Sequence, residues 1–194
     1  MLRAAAALAG AILLCAAPPS TPAWGITYLT QDEALALAFP EGTALTKKTF
    51  QLREDGQRRY REELGTTPPP GTLYEVYMGV KDGTPQGWAF VLTESSRYRP
   101  ITFLVAIAPG GTVGRVEVMV YREPRGEQVK EGRYLKQYER QSGAVELGKE
   151  IQSISGATVS GQVITFGVNK ALFLVRELLL QDNAAQTTTT KAAP

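Results

Sequence analysis

The sequence predicts an α+β domain in which an antiparallel sheet packs against helices and a long helix follows the sheet. Three observations lead to this prediction. Four short runs rich in Val, Ile, Phe and Tyr follow one another in the middle of the chain. Two segments with helical signals precede these runs, and one long segment with apolar residues at helical spacing follows them. With 194 residues, 43% of them apolar, the chain can build one such core.

The first 23 residues have the features of a secretory signal. Arg3 gives a short positive start, residues 4–17 are apolar, and Thr21-Pro22-Ala23 supplies small residues before a cleavage site. The alternative is an uncleaved anchor, but the apolar run is short for a bilayer span. We therefore expect a signal peptide at 1–23, one domain at 24–182 and a disordered tail at 183–194, which is rich in Thr and Ala.

Two helices are predicted before the sheet. Thr30 and Glu33 have the spacing of a capping box, and apolar residues recur at helical spacing after them until Pro40 stops the helix. Residues 52–64 alternate in charge and end at Gly65, which predicts a second, exposed helix. The Pro-rich stretch that follows is either a loop or a domain boundary.

Four strands are predicted to form one sheet of antiparallel hairpins, with a tight turn at Pro109-Gly110-Gly111. In the last strand Val116, Val118 and Val120 share one face, as in a sheet that faces water on the other side. The predicted strands are Leu73–Val80, Trp88–Thr93, Ile101–Ala108 and Val113–Tyr121.

The remainder of the chain is a Gly-rich, charged stretch and a long helix. A short helix is expected around Tyr134–Arg140, and the longest helix is expected over Ser160–Gln181. Lys170, Arg176 and Glu177 interrupt that helix too often for a membrane span.

Composition excludes several kinds of site. Cys15 is the only cysteine and there is no histidine, so the mature chain has no disulfide, no cysteine-held iron-sulfur cluster and no imidazole-held metal, and we expect no metal site. A Ser-His-Asp triad is excluded in the same way. The formal charge of +2 gives no footprint for nucleic acid. Redox chemistry on this chain would need an organic cofactor.

A turn of very small residues leads into the long helix. Its sequence is Ile151-Gln152-Ser153-Ile154-Ser155-Gly156-Ala157-Thr158-Val159-Ser160. Free backbone N–H groups and the helix dipole favour an anion such as phosphate at this position. The alternative is that Thr158 or Ser160 merely caps the helix.

The segment Ser155-Gly156-Ala157-Thr158, followed by Ser160 and a helix, resembles the attachment motif of the FMN-binding domain family. That family includes the flavin-carrying subunits of sodium-pumping NADH:quinone reductase and of Rnf-type complexes. The likeness extends upstream to the strand at 114–121, the loop Glu123-Pro124-Arg125-Gly126 and the segment 134–138. It covers about Leu73 to Leu180.

The resemblance implies that Thr158 receives FMN as a phosphoester from FAD, through a flavin transferase. Ser155, Gly156 and Ala157 complete the motif, and the last two lack the bulk that would hinder the transferase. Val159 and Ser160 would then offer backbone N–H groups to the phosphate.

The resemblance also selects residues outside the motif. Glu123 and Gly126 would bring their loop close to the flavin, and Gln137 and Tyr138 would add a hydrogen bond and an aromatic wall. The alternative is that the loop only shapes the exit from the strand, with Tyr138 in the core.

One position departs from the family pattern. Flavinylated members usually have an acidic residue six positions before the threonine, and here that position is Gln152. Modification could therefore be slow or absent, unless Glu150 substitutes for the missing acid.

The function that follows from the resemblance is electron transfer by an exported, periplasmic protein at the outer face of the cytoplasmic membrane. Its partners would be membrane-bound redox proteins or a quinone oxidoreductase, and no residue is predicted to act as a catalytic acid or base. Two alternatives remain: a small flavin reductase that holds FMN non-covalently, and a flavin-free interaction module in which the site has lapsed.

Overall fold

The computed structural model describes residues 25–191, so the predicted signal segment lies outside the described residues. The described residues form six strands and four helices, joined in places by short 3-10 turns. The strands are β1 (Ile26–Thr27), β2 (Ala44–Phe50), β3 (Tyr74–Lys81), β4 (Thr84–Glu94), β5 (Ile101–Ile107) and β6 (Val113–Tyr121). The helices are α1 (Gln31–Ala38), α2 (Glu54–Leu64), α3 (Gly132–Leu135) and α4 (Thr158–Lys191).

The six strands form one antiparallel sheet in the order β1-β6-β5-β4-β3-β2. The predicted α+β class is confirmed, and the sheet has two more strands than the four predicted. Both additional strands lie at edges, where one side of the backbone has no partner strand and side chains are often charged. In β2, Lys47 is exposed and forms a 2.8 Å salt bridge with Glu75. Because of such polar residues, the sequence of β2 does not show the apolar alternation by which a strand is recognised.

Both faces of the sheet are covered, so the prediction that one face meets water is wrong. The larger core lies between the sheet and α2 and α4, and a smaller core lies between the opposite face and α1. Strand β5 is buried at every position for this reason. A register shift opposite Thr102 and Phe103 also turns Val120 to the α1 face, away from Val116 and Val118.

Helix α4 lies across the larger core. Its segment Thr158–Leu179 is long and apolar enough to cross a membrane, but 67% of it is buried within the fold, as expected of a core helix. The helix continues to Lys191, beyond the predicted end at Gln181 and into the segment predicted to be disordered. Neither Gly nor Pro occurs between Gln181 and Lys191, so no residue there stops a helix.

A partly buried ion pair joins α2 to α4. Arg59 donates two hydrogen bonds of 2.7 Å to the carboxylate of Glu177, which is only 3% exposed. Gly56 occupies the interior of α2 because the carboxylate needs that space: a Cβ at this position would lie 2.8 Å from Glu177 Oε2. This contact helps to fix α4 on the sheet, and thereby the position of its first residue, Thr158.

Candidate functional site

The attachment turn, residues 152–158, is anchored at both ends and exposed between them. Ile151 and Ala157 are buried, and the half-buried Ile154 accepts a 3.0 Å hydrogen bond from the Ala157 N–H. Gly156 has a φ of +78° and its Cβ position is open to solvent. The turn therefore projects Ser155, Gly156 and Thr158 outward, and all three are exposed.

Helix α4 begins with unsatisfied donors. The Ala157 carbonyl accepts the first helical hydrogen bond, from the Gly161 N–H at 2.9 Å, and alanine has no side-chain oxygen with which to cap the helix. The N–H groups of Thr158, Val159 and Ser160 have no acceptor within residues 25–191. Three free donors at the positive end of a helix dipole form a site for an anion.

The Ser160 side chain has a structural role and does not cap the helix. Tyr121 Oη donates a 2.5 Å hydrogen bond to the Arg125 carbonyl and therefore accepts the 2.7 Å hydrogen bond from Ser160 Oγ. Both side chains are buried, and burial raises the pKa of the Tyr121 hydroxyl. The chain of hydrogen bonds holds the 122–126 loop against the first turn of α4.

Gly126 lies at the closest approach between that loop and α4. Its φ is +87°, and a Cβ there would lie 2.8 Å from Ser160 Oγ and 3.2 Å from the Cα of Ala157. The structure thus places Gly126 against the attachment turn, and the contacts at its Cβ position are with protein atoms.

Glu123 holds a different loop. Its Oε1 accepts hydrogen bonds from the backbone N–H groups of Tyr98 (2.8 Å) and Arg99 (3.1 Å), in the connection between β4 and β5. Burial alone would raise the pKa of Glu123, but these hydrogen bonds and the positive charge of Arg97 bring it below its usual value. Glu123 is therefore placed to position the β4–β5 loop and does not line the space beside Thr158.

The lowered pKa of Glu123 predicts how the β4–β5 loop responds to acid. Because the folded-state pKa lies below the unfolded one, the stabilisation is complete above the unfolded pKa and is lost as the pH falls through the folded pKa. We expect hydrogen-exchange protection of the Tyr98 and Arg99 amides to fall over that acidic interval. Glu123→Gln should give weaker protection without this pH dependence. Equal protection in both proteins at every pH would contradict the assignment.

Gln137 contacts the other end of the attachment turn. Its Oε1 accepts a 2.8 Å hydrogen bond from the Gln152 N–H, so it fixes the beginning of the turn. Tyr138 is fully buried and its hydroxyl lies 3.0 Å from Tyr134 Oη and 2.9 Å from Thr165 Oγ1. Of the two interpretations left open by the sequence, the structure has Tyr138 in the core.

Two clefts flank the attachment turn. The first cleft, about 580 Å³, lies between the β4–β5 loop, the 122–126 loop and the start of α4. The second cleft, about 570 Å³, lies on the side of α3. The first is lined by Arg97, Tyr98, Pro124, Arg125 and residues 156–160, and the second by Glu131, Arg133, Tyr134, Gln137, Gln152, Ser153 and Ile154.

Sequence reasoning missed the far wall of the first cleft. Arg97 and Tyr98 stand there, with the Arg97 guanidinium carbon 5.4 Å from the Tyr98 ring centroid. Neither Arg97 nor Arg125 forms a salt bridge with any residue the structure describes. The only signal in the sequence was an aromatic residue between two arginines, Arg97-Tyr98-Arg99, in a loop between strands.

One family model matches the part of the chain that contains the attachment turn. Residues 98–173 match the family model described as FMN-binding domain, which spans the Glu123–Gly126 loop, the attachment turn and the first part of α4. Among solved structures, the chain is similar to Shewanella oneidensis NqrC, with 15% identity over 80% of this chain and 83% of that chain and a TM-score of 0.46. No curated protein matches the chain.

Proposed function

We propose that this protein carries FMN as a phosphoester on Thr158 and transfers electrons through it, because residues 98–173 match the family model described as FMN-binding domain. The observation that carries the proposal is the setting of Thr158. Its side chain is exposed, makes no hydrogen bond within the described chain, and stands at a helix start with three free N–H donors. A phosphate ester there would meet the backbone N–H groups directly.

Access for a flavin transferase is provided by the neighbours of Thr158. Ser155 and Gly156 are exposed and small, and Ala157 is turned into the core, so the approach to the hydroxyl is clear. The ester would also retain the cofactor outside the cytoplasm. Residues 1–23 support export, and a periplasmic position at the outer face of the cytoplasmic membrane would give access to membrane-bound redox proteins or a quinone oxidoreductase.

Bound FMN would supply the redox chemistry, since a flavin can exchange one or two electrons, and the chain would supply position and electrostatics. The free N–H groups of Thr158, Val159 and Ser160 would bind the phosphate oxygens. Tyr121 and Gly126 would hold the neighbouring loop against this anion site. No acid or base on the chain is required.

The central prediction is the mass of the exported protein. When the chain is coexpressed with a flavin transferase, we expect an intact mass increased by one FMN ester and flavin fluorescence that survives denaturation. Thr158→Ala should lose both completely, because the acceptor oxygen is absent. Ser153→Ala, which removes an exposed hydroxyl outside the motif, should keep both. An unmodified wild-type mass would refute covalent attachment.

The residue at position 152 is predicted to limit the extent of modification. The Gln152 side chain is exposed, so a substitution there meets the transferase without disturbing the core. Glu150 is held within its own turn, because its carboxylate accepts a 2.8 Å hydrogen bond from the Glu146 N–H, and we therefore expect it not to substitute for the missing acid. We expect Gln152→Asp to raise the flavin-to-protein ratio measured by absorbance, and Gln152→Asn and Glu150→Gln to leave it unchanged. A ratio insensitive to Gln152→Asp would show that this position does not control attachment.

Non-covalent binding of FMN is the second candidate, and it is favoured by the free donors together with Arg97 and Arg125, which form no salt bridge within the described residues. A free FMN phosphate carries more negative charge than its ester and would bind to the same groups. In that case purified Thr158→Ala protein stays yellow, and the flavin is released on denaturation. A wild-type protein that is exported, folded and colourless would instead support the flavin-free interaction module.

A further inference from the structure

We propose that the flavin ring is received by the first cleft, with Tyr98 as the aromatic residue against which it stacks and Arg97 and Arg125 as the charges beside it. This inference rests on the proposed function and deepens it. It chooses between two clefts of nearly equal size on either side of the attachment turn, and it assigns roles to three residues outside the attachment motif.

The first observation is the state of Tyr98. Its side chain is 67% exposed and its hydroxyl makes no hydrogen bond within the described residues, so the core does not account for its position, and the only polar or ring contact of the side chain within that part of the chain is with the neighbouring guanidinium of Arg97. The backbone beneath it is nevertheless held, because Glu123 accepts the N–H groups of Tyr98 and Arg99. An exposed ring on a fixed backbone is a suitable surface for a planar aromatic ligand, which gains offset stacking in addition to buried area.

The second observation is the difference in charge between the clefts. The lining of the first contains Arg97 and Arg125 and no acid, and it includes the residues whose N–H groups are free at the start of α4. Glu123 is near Arg97 but outside this lining, and it offsets part of that charge while Arg125 forms no salt bridge within the described residues. The lining of the second contains one acid, Glu131, and one base, Arg133, so its formal charges cancel. A phosphate-bearing ligand is therefore attracted to the first cleft, and positive charge beside a flavin also favours its reduced form.

The third observation is the position of Thr158 relative to the two clefts. Thr158 lines the first cleft and is absent from the lining of the second. A cofactor joined to this residue starts inside the first cleft, opposite the β4–β5 loop that carries Tyr98. Glu123 would therefore act on the cofactor indirectly, because its hydrogen bonds to the backbone of Tyr98 and Arg99 position the Tyr98 ring.

The test uses full-length exported protein, modified by a flavin transferase, and compares flavin fluorescence before and after denaturation. Stacking on tyrosine quenches flavin fluorescence. Tyr98→Leu should therefore increase native fluorescence, with the stacked-to-open ratio falling about two- to tenfold. Tyr98→Phe keeps the ring and should resemble the wild type. Because Tyr98 is held through its backbone, both variants should retain the loop.

The charges are tested by the reduction potential. Arg97→Ala and Arg125→Ala should each lower the midpoint potential of the bound flavin. Arg125→Lys retains the positive charge and should leave the potential close to that of the wild type. Arg99→Ala is the matched control, since this neighbour in the same loop does not line the first cleft.

The outcomes separate this inference from the proposed function. If the intact mass shows FMN on Thr158 while Tyr98→Leu changes neither fluorescence nor potential, and Arg133→Ala or Gln137→Ala changes them, the ring lies in the second cleft and the inference is overturned. If the mass shows no FMN, the proposed function fails and the inference falls with it. Increased fluorescence in Tyr98→Leu alone, at full modification, supports the inference.

Discussion

Replacing Gly126 by alanine is expected to destabilise the protein by about 2–5 kcal/mol and, under the proposed function, to lower the fraction that carries flavin. Two costs add. A non-glycine residue in the left-handed region costs roughly 1–2 kcal/mol, and inserting a methyl group into a packed contact costs about 1–3 kcal/mol. Here the new Cβ would meet Ser160 Oγ at 2.8 Å and the Ala157 backbone at 3.2 Å. The second contact cannot be relieved by a change of rotamer.

Urea unfolding of the unmodified protein measures the stability cost, and flavin-to-protein ratio after coexpression measures the effect on attachment. Gly111→Ala is the matched control, because Gly111 has a similar φ of +78° and an open Cβ position. It should show only the cost of the backbone conformation. Equal losses in the two variants would mean that the contact of Gly126 with α4 contributes nothing.

A second large effect is expected at Gly167, where α4 crosses the sheet. A Cβ at this position would lie 2.2 and 2.6 Å from two ring carbons of Phe103, which is completely buried. Overpacking costs about 1–3 kcal/mol, and alanine returns up to about 1 kcal/mol as a better helix former than glycine. We expect Gly167→Ala to lose about 1–2 kcal/mol in net stability, visible as a lower thermal midpoint.

The steric cost of Gly167→Ala can be separated experimentally from the effect of helix propensity. Gly132→Ala adds a Cβ to α3 in open space and should not destabilise the protein. Combining Gly167→Ala with Phe103→Leu, which removes the obstructing ring, should cost less than the sum of the single changes because the two residues share one contact. A Gly167→Ala protein as stable as the wild type would show that α4 can move away from β5 freely.

The parts of the fold that sequence reasoning predicted are those with local signals. The capping box of α1 is present in both directions between Thr30 and Glu33, and the four central strands are close to their predicted bounds. Strand β2 was missed because most of its residues are exposed and two of them, Lys47 and Lys48, are charged, and β1 was missed because two residues carry no periodicity. The second covered face depended on where α1 packs, which no local pattern specifies.

The site divides in the same way. The attachment turn and the Gly126 loop were selected through the resemblance of their residues to the FMN-binding domain family. Arg97 and Tyr98 were missed because their relation to Thr158 depends on long-range contacts. Glu123 reaches the Tyr98 N–H across 25 positions of the chain, and Tyr121 reaches Ser160 across 39. Contacts between residues so far apart in the sequence have no fixed spacing by which they could be recognised.

The anchoring of the attachment turn has a consequence for the maturation of the protein. The exposed motif is shaped by Ile151 and Ala157, both of which are buried in the main core. An unfolded or partly folded chain would contain the same motif residues but would not present them as a projecting loop beside the first cleft. Under the proposed function, loading of the cofactor would therefore follow folding, and the yellow fraction of an exported population would count the molecules whose cores are complete.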